Sequence, residues 1–261
     1  MIFLGDNTYE KAILQRVLQT PNPYNVRIYS LFHAYKHTAL CQFWVQRTGE
    51  RSVSFLAKNG ASLILDADPC ADMEELSAFI ALTGAVSLLC DAALPLQIPG
   101  FSARICPVMR LKKMQSLDTL SGCVYTQPRL QDIYALLHQC EGEGFILPAF
   151  EGFYLELSHR IRHESALCVG IMRNGRLCAC ALAVFYCPHG AVIGCVATHP
   201  QYRGNGLGKQ AVTALTRQLQ KAQVERIFLH AAHRNTVAFY EKTGFAVCGS
   251  ALELHRENGV V

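Results

Sequence analysis

The chain has 261 residues, 51% of them hydrophobic and 17% charged, with 24 Lys and Arg against 20 Asp and Glu for a formal net charge of +4. That composition excludes a disordered or fibrous chain, and the length suits one large domain or two smaller ones at the usual figure of about 150 residues per domain. No run of like charge makes a case for a nucleic-acid or membrane-surface partner, and the mild positive excess fits a polyanionic small ligand equally well without deciding anything alone.

Apolar residues at Ile13, Leu14, Val17 and Leu18 predict a short amphipathic helix over Tyr9–Gln19, stopped before Pro21. Cys41–Gln46 and Arg51–Lys58 read as strands joined by a turn at Thr48-Gly49, and Ala61–Leu65 reads as a third strand. Asp68-Pro69 opens a helix over Ala71–Leu82 that Gly84 stops, and Val86–Cys90 is a strand again. Pro95, Pro99 and Pro107 make Ala92–Pro107 a linker, and a polar stretch ending at Ser121-Gly122 marks the domain boundary. The expected domains are 1–115 and 122–261.

The second half repeats the order of the first with clearer signals. Cys123–Thr126 is a strand, and helices follow over Leu130–Cys140 and Phe150–Ile161. Leu167–Arg173 and Arg176–Tyr186 form a hairpin across Asn174-Gly175, a dipeptide that supplies the positive φ angles of a tight hairpin turn. Ala191–Thr198 is the next strand. A glycine loop, a helix over Leu207–Lys221, the strand Arg226–His230, a helix over Thr236–Lys242 and a strand from Phe245 complete the chain. The shared order predicts an α/β protein of two duplicated halves, each a central mixed β-sheet flanked by helices.

The opening residues Met1–Asp6 lack the basic and apolar regions of a signal peptide. The longest uncharged apolar stretch, Leu76–Cys90, falls short of the roughly 20 residues a membrane-spanning helix needs. A soluble cytoplasmic protein is expected. The 12 cysteines include no CxxC pair, and several fall in apolar strands, so they read as buried thiols in a reducing compartment. Zinc on Cys187, His189 and Cys195 is the lesser alternative, and no metal is expected.

The chemistry concentrates in Val196-Ala197-Thr198-His199-Pro200-Gln201-Tyr202-Arg203-Gly204-Asn205-Gly206-Leu207-Gly208-Lys209. A strand ends at Pro200, and three glycines at alternate positions lead into an amphipathic helix. Such a turn lets backbone N–H groups converge on an anion, and the helix N-terminus adds unsatisfied donors and partial positive charge. A tight strand-to-helix turn without a ligand is the plainer reading of three glycines. A dinucleotide fold would need GxGxxG with an acidic residue ending the next strand, and a P-loop would need Gly-Lys-Ser/Thr; neither is present.

The segment resembles the signature of the GNAT superfamily of N-acetyltransferases, Arg/Gln-x-x-Gly-x-Gly/Ala after a strand. Here it reads Arg203-x-x-Gly206-x-Gly208, preceded by His199-Pro200 and Tyr202. A second block, Phe239-Tyr240-Glu241-Lys242-Thr243-Gly244-Phe245, is similar to that family's aromatic-Tyr pair followed by Glu-Lys-x-Gly-Phe. The resemblance covers residues 122–250 and has no counterpart upstream, so the first half is expected to be a degenerate form. Its loop Asp66–Glu75 carries five carboxylates and Pro69 with no glycine, a poor place for a pyrophosphate.

The resemblance implies acetyl-CoA as acyl donor and an unidentified amine, on a small molecule or peptide, as acceptor. It implies that the backbone of Val196, Ala197 and Thr198 pairs with the pantetheine arm. Arg203, Gly204, Asn205, Gly206, Leu207, Gly208 and Lys209 would hold the pyrophosphate, with Asn235 either contacting the cofactor or serving as a plain helix N-cap. Tyr240 matches the family tyrosine that protonates the leaving thiolate, packing within its helix being the plainer role. His230, at a strand end where some members place a base, is a base candidate or merely structural; His233 and Glu164 are weaker candidates. A protein that binds acyl-CoA without turnover is the competing reading.

Overall fold

The computed structural model describes residues 1–6, 8–112, 123–142, 147–224, 226–232 and 234–257. Two compact units emerge, Met1–Val108 with Cys248–Val261, and Met109–Val247. The expected boundary at Ser121-Gly122 lies outside the described residues. The division differs from two consecutive halves because the chain returns to the first unit at its end.

The first unit contains β1 (Ile2–Leu4), α1 (Tyr9–Gln19), α2 (Pro23–Tyr35), β2 (Cys41–Thr48), β3 (Arg51–Asn59), β4 (Ser62–Ala67), α3 (Met73–Leu82), β5 (Ser87–Asp91) and most of β6 (Phe101–Leu111). Strands β1 to β4 are antiparallel neighbours, and β4 then pairs parallel with β5 across the α3 connection. Apolar side chains of the strands and α3, among them Leu56, Leu63, Leu65, Leu76, Ile80 and Leu88, form its core.

Four elements here depart from the sequence reading, the first being β1, a three-residue strand with no counterpart in it. Helix α2 has no counterpart in it: Pro23, so close to Pro21, looks like part of a stop, yet it occupies the first turn of a helix capped by Asn22 and closed by the reciprocal Asn25 side chain. Helix α3 starts at Met73 rather than Ala71 because the Asp72 side chain accepts from the Glu75 N–H and fixes the N-cap there. The expected linker Ala92–Pro107 ends early, since β6 begins at Phe101 and carries Pro107 within it.

The second unit repeats the plan. It holds β7 (Cys123–Thr126), α4 (Leu130–His138), α5 (Phe150–Arg162), β8 (Leu167–Arg173), β9 (Arg176–Cys187), β10 (Gly190–Thr198), a single 3-10 turn at Pro200–Tyr202, α6 (Leu207–Lys221), β11 (Ile227–His230), α7 (Arg234–Glu241) and the start of β12 (Phe245–Arg256). Strands β7 to β10 are antiparallel neighbours, and β10 pairs parallel with β11 across α6. The α/β fold of two tandem halves, each a mixed sheet with flanking helices, is what the sequence order suggests.

Local sequence sets these elements. The β8–β9 hairpin turns on Asn174 and Gly175, at φ 49° and 73°. Helix α6 buries Leu207, Ala211, Leu215 and Leu219 at four-residue spacing, so one stripe faces the sheet. Helix α7 ends where Thr243 donates its N–H and hydroxyl to the Tyr240 carbonyl and Gly244 takes φ 94°, letting the chain turn back into β12 with Phe245 buried. Strand β12 crosses from one unit to the other: its residues from Ala251 to His255 pair antiparallel with β5.

Candidate acyl-transfer site

The site begins with a disrupted strand. Strand β10 pairs with β9 up to Thr198↔Ala179, but its parallel ladder with β11 ends at Ile193↔Leu229. Between Gly194 and Ala197 the β9 register shifts, and Cys195 takes φ 49°, an unusual conformation for a non-glycine residue. A bulge bends a strand. Here it leaves Gly194–Thr198 outside the β11 ladder, at the carboxyl ends of two parallel strands, where α/β sheets commonly open a crevice. Val196 and Thr198 are half-buried, whereas Ala197 packs into the core under α4 and α5.

The loop beyond β10 is organised by its own side chains. His199 is buried and accepts the Gln201 N–H through Nδ1, which holds the short turn at Pro200. Arg203 donates from Nε to the Thr198 carbonyl at 3.2 Å, and the Asn205 amide donates to the carbonyls of Tyr202 and Arg203. Both side chains thus brace the loop. Gly204 and Gly206 stand at φ 79° and 72°, exposed, with open space where a Cβ would lie.

Gly206 is the N-cap of α6, and no side chain caps that helix. The N–H groups of Leu207, Gly208 and Lys209, in its first turn, therefore have no acceptor within the helix. Gly208 serves close packing instead, since a Cβ there would sit 2.8 Å from Thr198 Oγ1 and 3.4 Å from Phe239 Cζ. Only glycine lets α6 start so close to β10 and α7.

Tyr240 lies on α7, packed between Phe239 at 5.0 Å and Phe245 at 6.2 Å between ring centroids. Burial, with the neighbouring Cys195 thiol adding to it, pushes its hydroxyl up to about 12, so the phenol is protonated across the physiological range. His230 closes β11, half-buried, just beyond the point where β10 and β11 part.

Other candidates fall elsewhere. Helix α7 begins at Arg234, so Asn235 is its second residue and not an N-cap; the Asn235 side chain, and His233 altogether, lie outside the described residues. Glu164 lines a cavity with Gln127, Arg162 and Tyr186 at the far end of the sheet, because Tyr186 pairs with Ala191 whereas the glycine loop follows Thr198. Cys187, His189 and Cys195 do not converge. Cys187 sits opposite Gly190 at the hairpin, and a strand rising about 3.3 Å per residue carries Cys195 well away. Among the described residues no group of three His, Cys, Asp or Glu side chains could hold a metal ion.

Sequence reasoning passes over the opposite wall of the bulge. A cavity of about 210 Å³ lies between α5 and the sheet, reaching Cys195 and lined by Phe153, Glu156, Leu157, Arg160 and Val184. The Arg160 side chain is 9% exposed; it is paired with Glu156 on the same helix, donates to the Val184 carbonyl at 2.9 Å and stacks on Phe185 at 4.4 Å. A signal exists: Phe153, Leu157 and Arg160 share one helical stripe, and a charged residue on an apolar face needs a reason.

A family model, the acetyltransferase (GNAT) family, matches residues 130–245, the span that holds the bulged strand, the glycine loop and Tyr240. Residues 130–245 form a GNAT acetyltransferase domain. The match supports acyl transfer as the general chemistry of these residues, and the family generally uses acetyl-CoA as co-substrate. The chain is similar to the uncharacterized N-acetyltransferase ycf52 of Porphyra purpurea, 30% identical over 117 residues, covering 44% of this chain and 64% of that relative. The match therefore spans somewhat less than two thirds of the relative's length.

Solved structures extend the likeness in fold beyond the GNAT domain. A Drosophila protein superposes with a TM-score of 0.74 at 14% identity, over 99% of each chain. A tandem GNAT protein from the clavulanic acid biosynthesis pathway gives 0.59 at 14% identity, over 100% of this chain and 99% of that one. At such identities the likeness concerns architecture alone. No helix among the described residues is long and apolar enough to cross a membrane.

Proposed function

We propose that the GNAT domain transfers the acetyl group of acetyl-CoA to a primary amine by direct attack in a ternary complex. The observation that carries this reading is the continuity of the bulged β10 edge, the uncapped start of α6 and Tyr240. The released edge at Val196–Thr198 offers backbone groups to an amide-containing pantetheine arm, as an added strand would. The arm leads to Gly204–Lys209, whose converging N–H groups suit a pyrophosphate. Lys209 adds a positive charge, while Arg203 and Asn205 keep the loop in shape. An asparagine contact from Asn235 belongs to the same proposal.

A neutral amine attacks the thioester carbonyl carbon, the carbonyl π electrons move to oxygen, and collapse of the tetrahedral species breaks the C–S bond. Tyr240 gives its proton to the departing sulfur; the attacking nitrogen loses one to His230, directly or through water. A phenol raised to about 12 is a weak acid, so it keeps its proton until the sulfur leaves as a thiolate beside it. The site lies in a cytoplasmic protein on this reading, where the described cysteines, all free thiols, stay reduced.

A thiol-release assay with acetyl-CoA and a panel of amines tests the proposal. Amine-dependent release of CoA supports it. Binding of acetyl-CoA with no release for any amine replaces it with a non-catalytic acyl-CoA sensor.

A further inference from the structure

The cavity at the far end of the sheet, bordered by Gln127, Arg162, Glu164 and Tyr186, takes no part in acyl transfer. We propose that it is a second ligand site for a free α-amino acid with an apolar side chain, Arg162 holding the carboxylate and Glu164 the ammonium. Such a site is independent of the acetyl-transfer reading. Tyr186 pairs with Ala191, and Thr198 lies seven residues further along β10, roughly 20 Å away at about 3.3 Å per residue.

The backbone gives the first sign. Helix α5 closes with two bonds, the Glu164 N–H donating to the Ile161 carbonyl at 3.1 Å and the Ser165 N–H to the Arg160 carbonyl at 2.7 Å. That closure sets Glu164 at φ 51°, a position glycine fills at least cost. Gln127, on the same cavity, stands at φ 72°. Two long polar side chains thus occupy left-handed backbone around one cavity, where glycine would be easier. Strain of this kind points to a use for the side chain that bears it.

The lining gives the ligand class. Arg162 and Glu164 bring opposite charges to one cavity without neutralising each other. Arg162 donates from Nε to the Ser158 carbonyl at 3.3 Å. Among the described residues its terminal nitrogens and the Glu164 carboxylate make no hydrogen bond or ion pair. Burial, and after it the charge of Glu164, raises the Tyr186 hydroxyl, so the carboxylate stands near that aromatic side chain. An ammonium between a carboxylate and an aromatic ring gains from both. Ile161, Ala166, Leu167 and Cys168 supply an apolar part. The volume of about 400 Å³ is well above the roughly 150 Å³ of an apolar cavity known to admit benzene. A ligand with a single charge leaves Arg162 or Glu164 unmatched, and a charged side chain would lose its water against Leu167 and Cys168. A zwitterion with an apolar side chain meets both conditions.

The test is titration calorimetry of the full chain with L-phenylalanine and L-leucine, set against L-aspartate, phenethylamine and phenylpropionate. At least one of the two apolar amino acids is expected to bind about tenfold or more tighter than each of the other three compounds. Glu164→Gln and Arg162→Gln should each weaken that binding about tenfold, the loss of one charge-assisted contact, with CoA affinity unchanged. Glu164→Gly should lose the amino acid yet raise Tm by about 2–4 °C, because glycine takes the left-handed position without strain. A merely structural Glu164 would lower Tm instead. Binding of neither apolar amino acid, or equal affinity for phenethylamine or phenylpropionate, overturns the assignment. So do unchanged affinity in Glu164→Gln, a lowered Tm in Glu164→Gly, and displacement of the amino acid by CoA. Thiol release plays no part in these readouts, so failure of acyl transfer and failure of this site are separate outcomes.

Discussion

Replacing Gly206 by valine should separate ligand binding from folding. Gly206 caps α6 at φ 72° and ψ 4°, and a Cβ built there meets no heavy atom within 4 Å among the described residues. The core under α6 is therefore not disturbed, and the protein should fold. The penalty is conformational: an L-residue in the left-handed region costs about 1–2 kcal/mol, more for a β-branched side chain. If the backbone holds its φ, the strain lowers Tm by a few degrees, about 2–4 °C per kcal/mol in a protein of this size class. If it relaxes to negative φ, the N–H groups of Leu207 and Gly208 swing away from their common focus. Losing two charge-assisted bonds, at about 1.5–3 kcal/mol each, weakens CoA binding by two orders of magnitude or more. Gly206→Ala should fall between. Titration calorimetry of the folded variants with CoA reads the effect directly. A folded Gly206→Val protein with wild-type CoA affinity would falsify the anion-cradle assignment.

Three further outcomes are expected. Tyr240→Phe keeps the ring among Phe239 and Phe245 but removes the donor, so turnover should drop by roughly 10²–10⁴ with CoA affinity nearly unchanged; undiminished turnover in the thiol-release assay returns Tyr240 to a packing role. The raised value of about 12 in the folded protein also gives a signed pH effect. The Tyr240 contribution to stability is complete below the unfolded value of about 10 and is lost as pH rises towards the folded one. Denaturation curves of wild type and Tyr240→Phe should accordingly converge in slope at neutral pH and separate at alkaline pH, the wild type losing more. In the first unit, Arg16 pairs with Asp66 at 2.7 Å and with Asp68, while Asn22 donates to Asp66. Arg16→Leu leaves two poorly solvated carboxylates and should cost about 3 kcal/mol in urea unfolding; a cost below about 1 kcal/mol would show that the pair is idle.

The fold is legible where the sequence specifies the backbone locally. Asn174-Gly175 fixes the hairpin, the four-residue stripe from Leu207 fixes α6 at both ends, and Gly244 fixes the turn into β12. It is opaque where one residue type serves two purposes. Pro23 starts a helix where Pro21 reads as a stop, and Pro107 lies inside a strand that three prolines argue against. Strand β12 changes units midway, a property of which partners lie beside it and not of its own residues.

The glycine loop is readable because the left-handed backbone at Gly204 and Gly206 and the close approach at Gly208 call for glycine and leave a mark in the sequence. The bulge at Cys195 leaves none, because a cysteine held at positive φ looks like any other strand residue until its register is known. Glu156 and Arg160 stay hidden for a related reason. On a helix they read as an ordinary pair four residues apart, and only the position of α5 places them on a cavity that reaches Cys195.

The first unit keeps the same order of strands and helix but places carboxylates at the corresponding turn. Its counterpart of the α6 start is α3, and there the Asp72 carboxylate already occupies the cap. Asp66 is buried at the end of β4, its carboxyl raised by that burial against the pull of Arg16. Negative charge stands where the second unit offers open N–H groups, and a pyrophosphate would be repelled.

Titrating the wild-type chain with CoA by calorimetry tests the central claim most directly, because it counts sites and locates them by comparison with Gly206→Val. One CoA per chain, lost or weakened at least about a hundredfold in the variant, is the predicted result. Two CoA per chain, or a single site indifferent to Gly206, would contradict it.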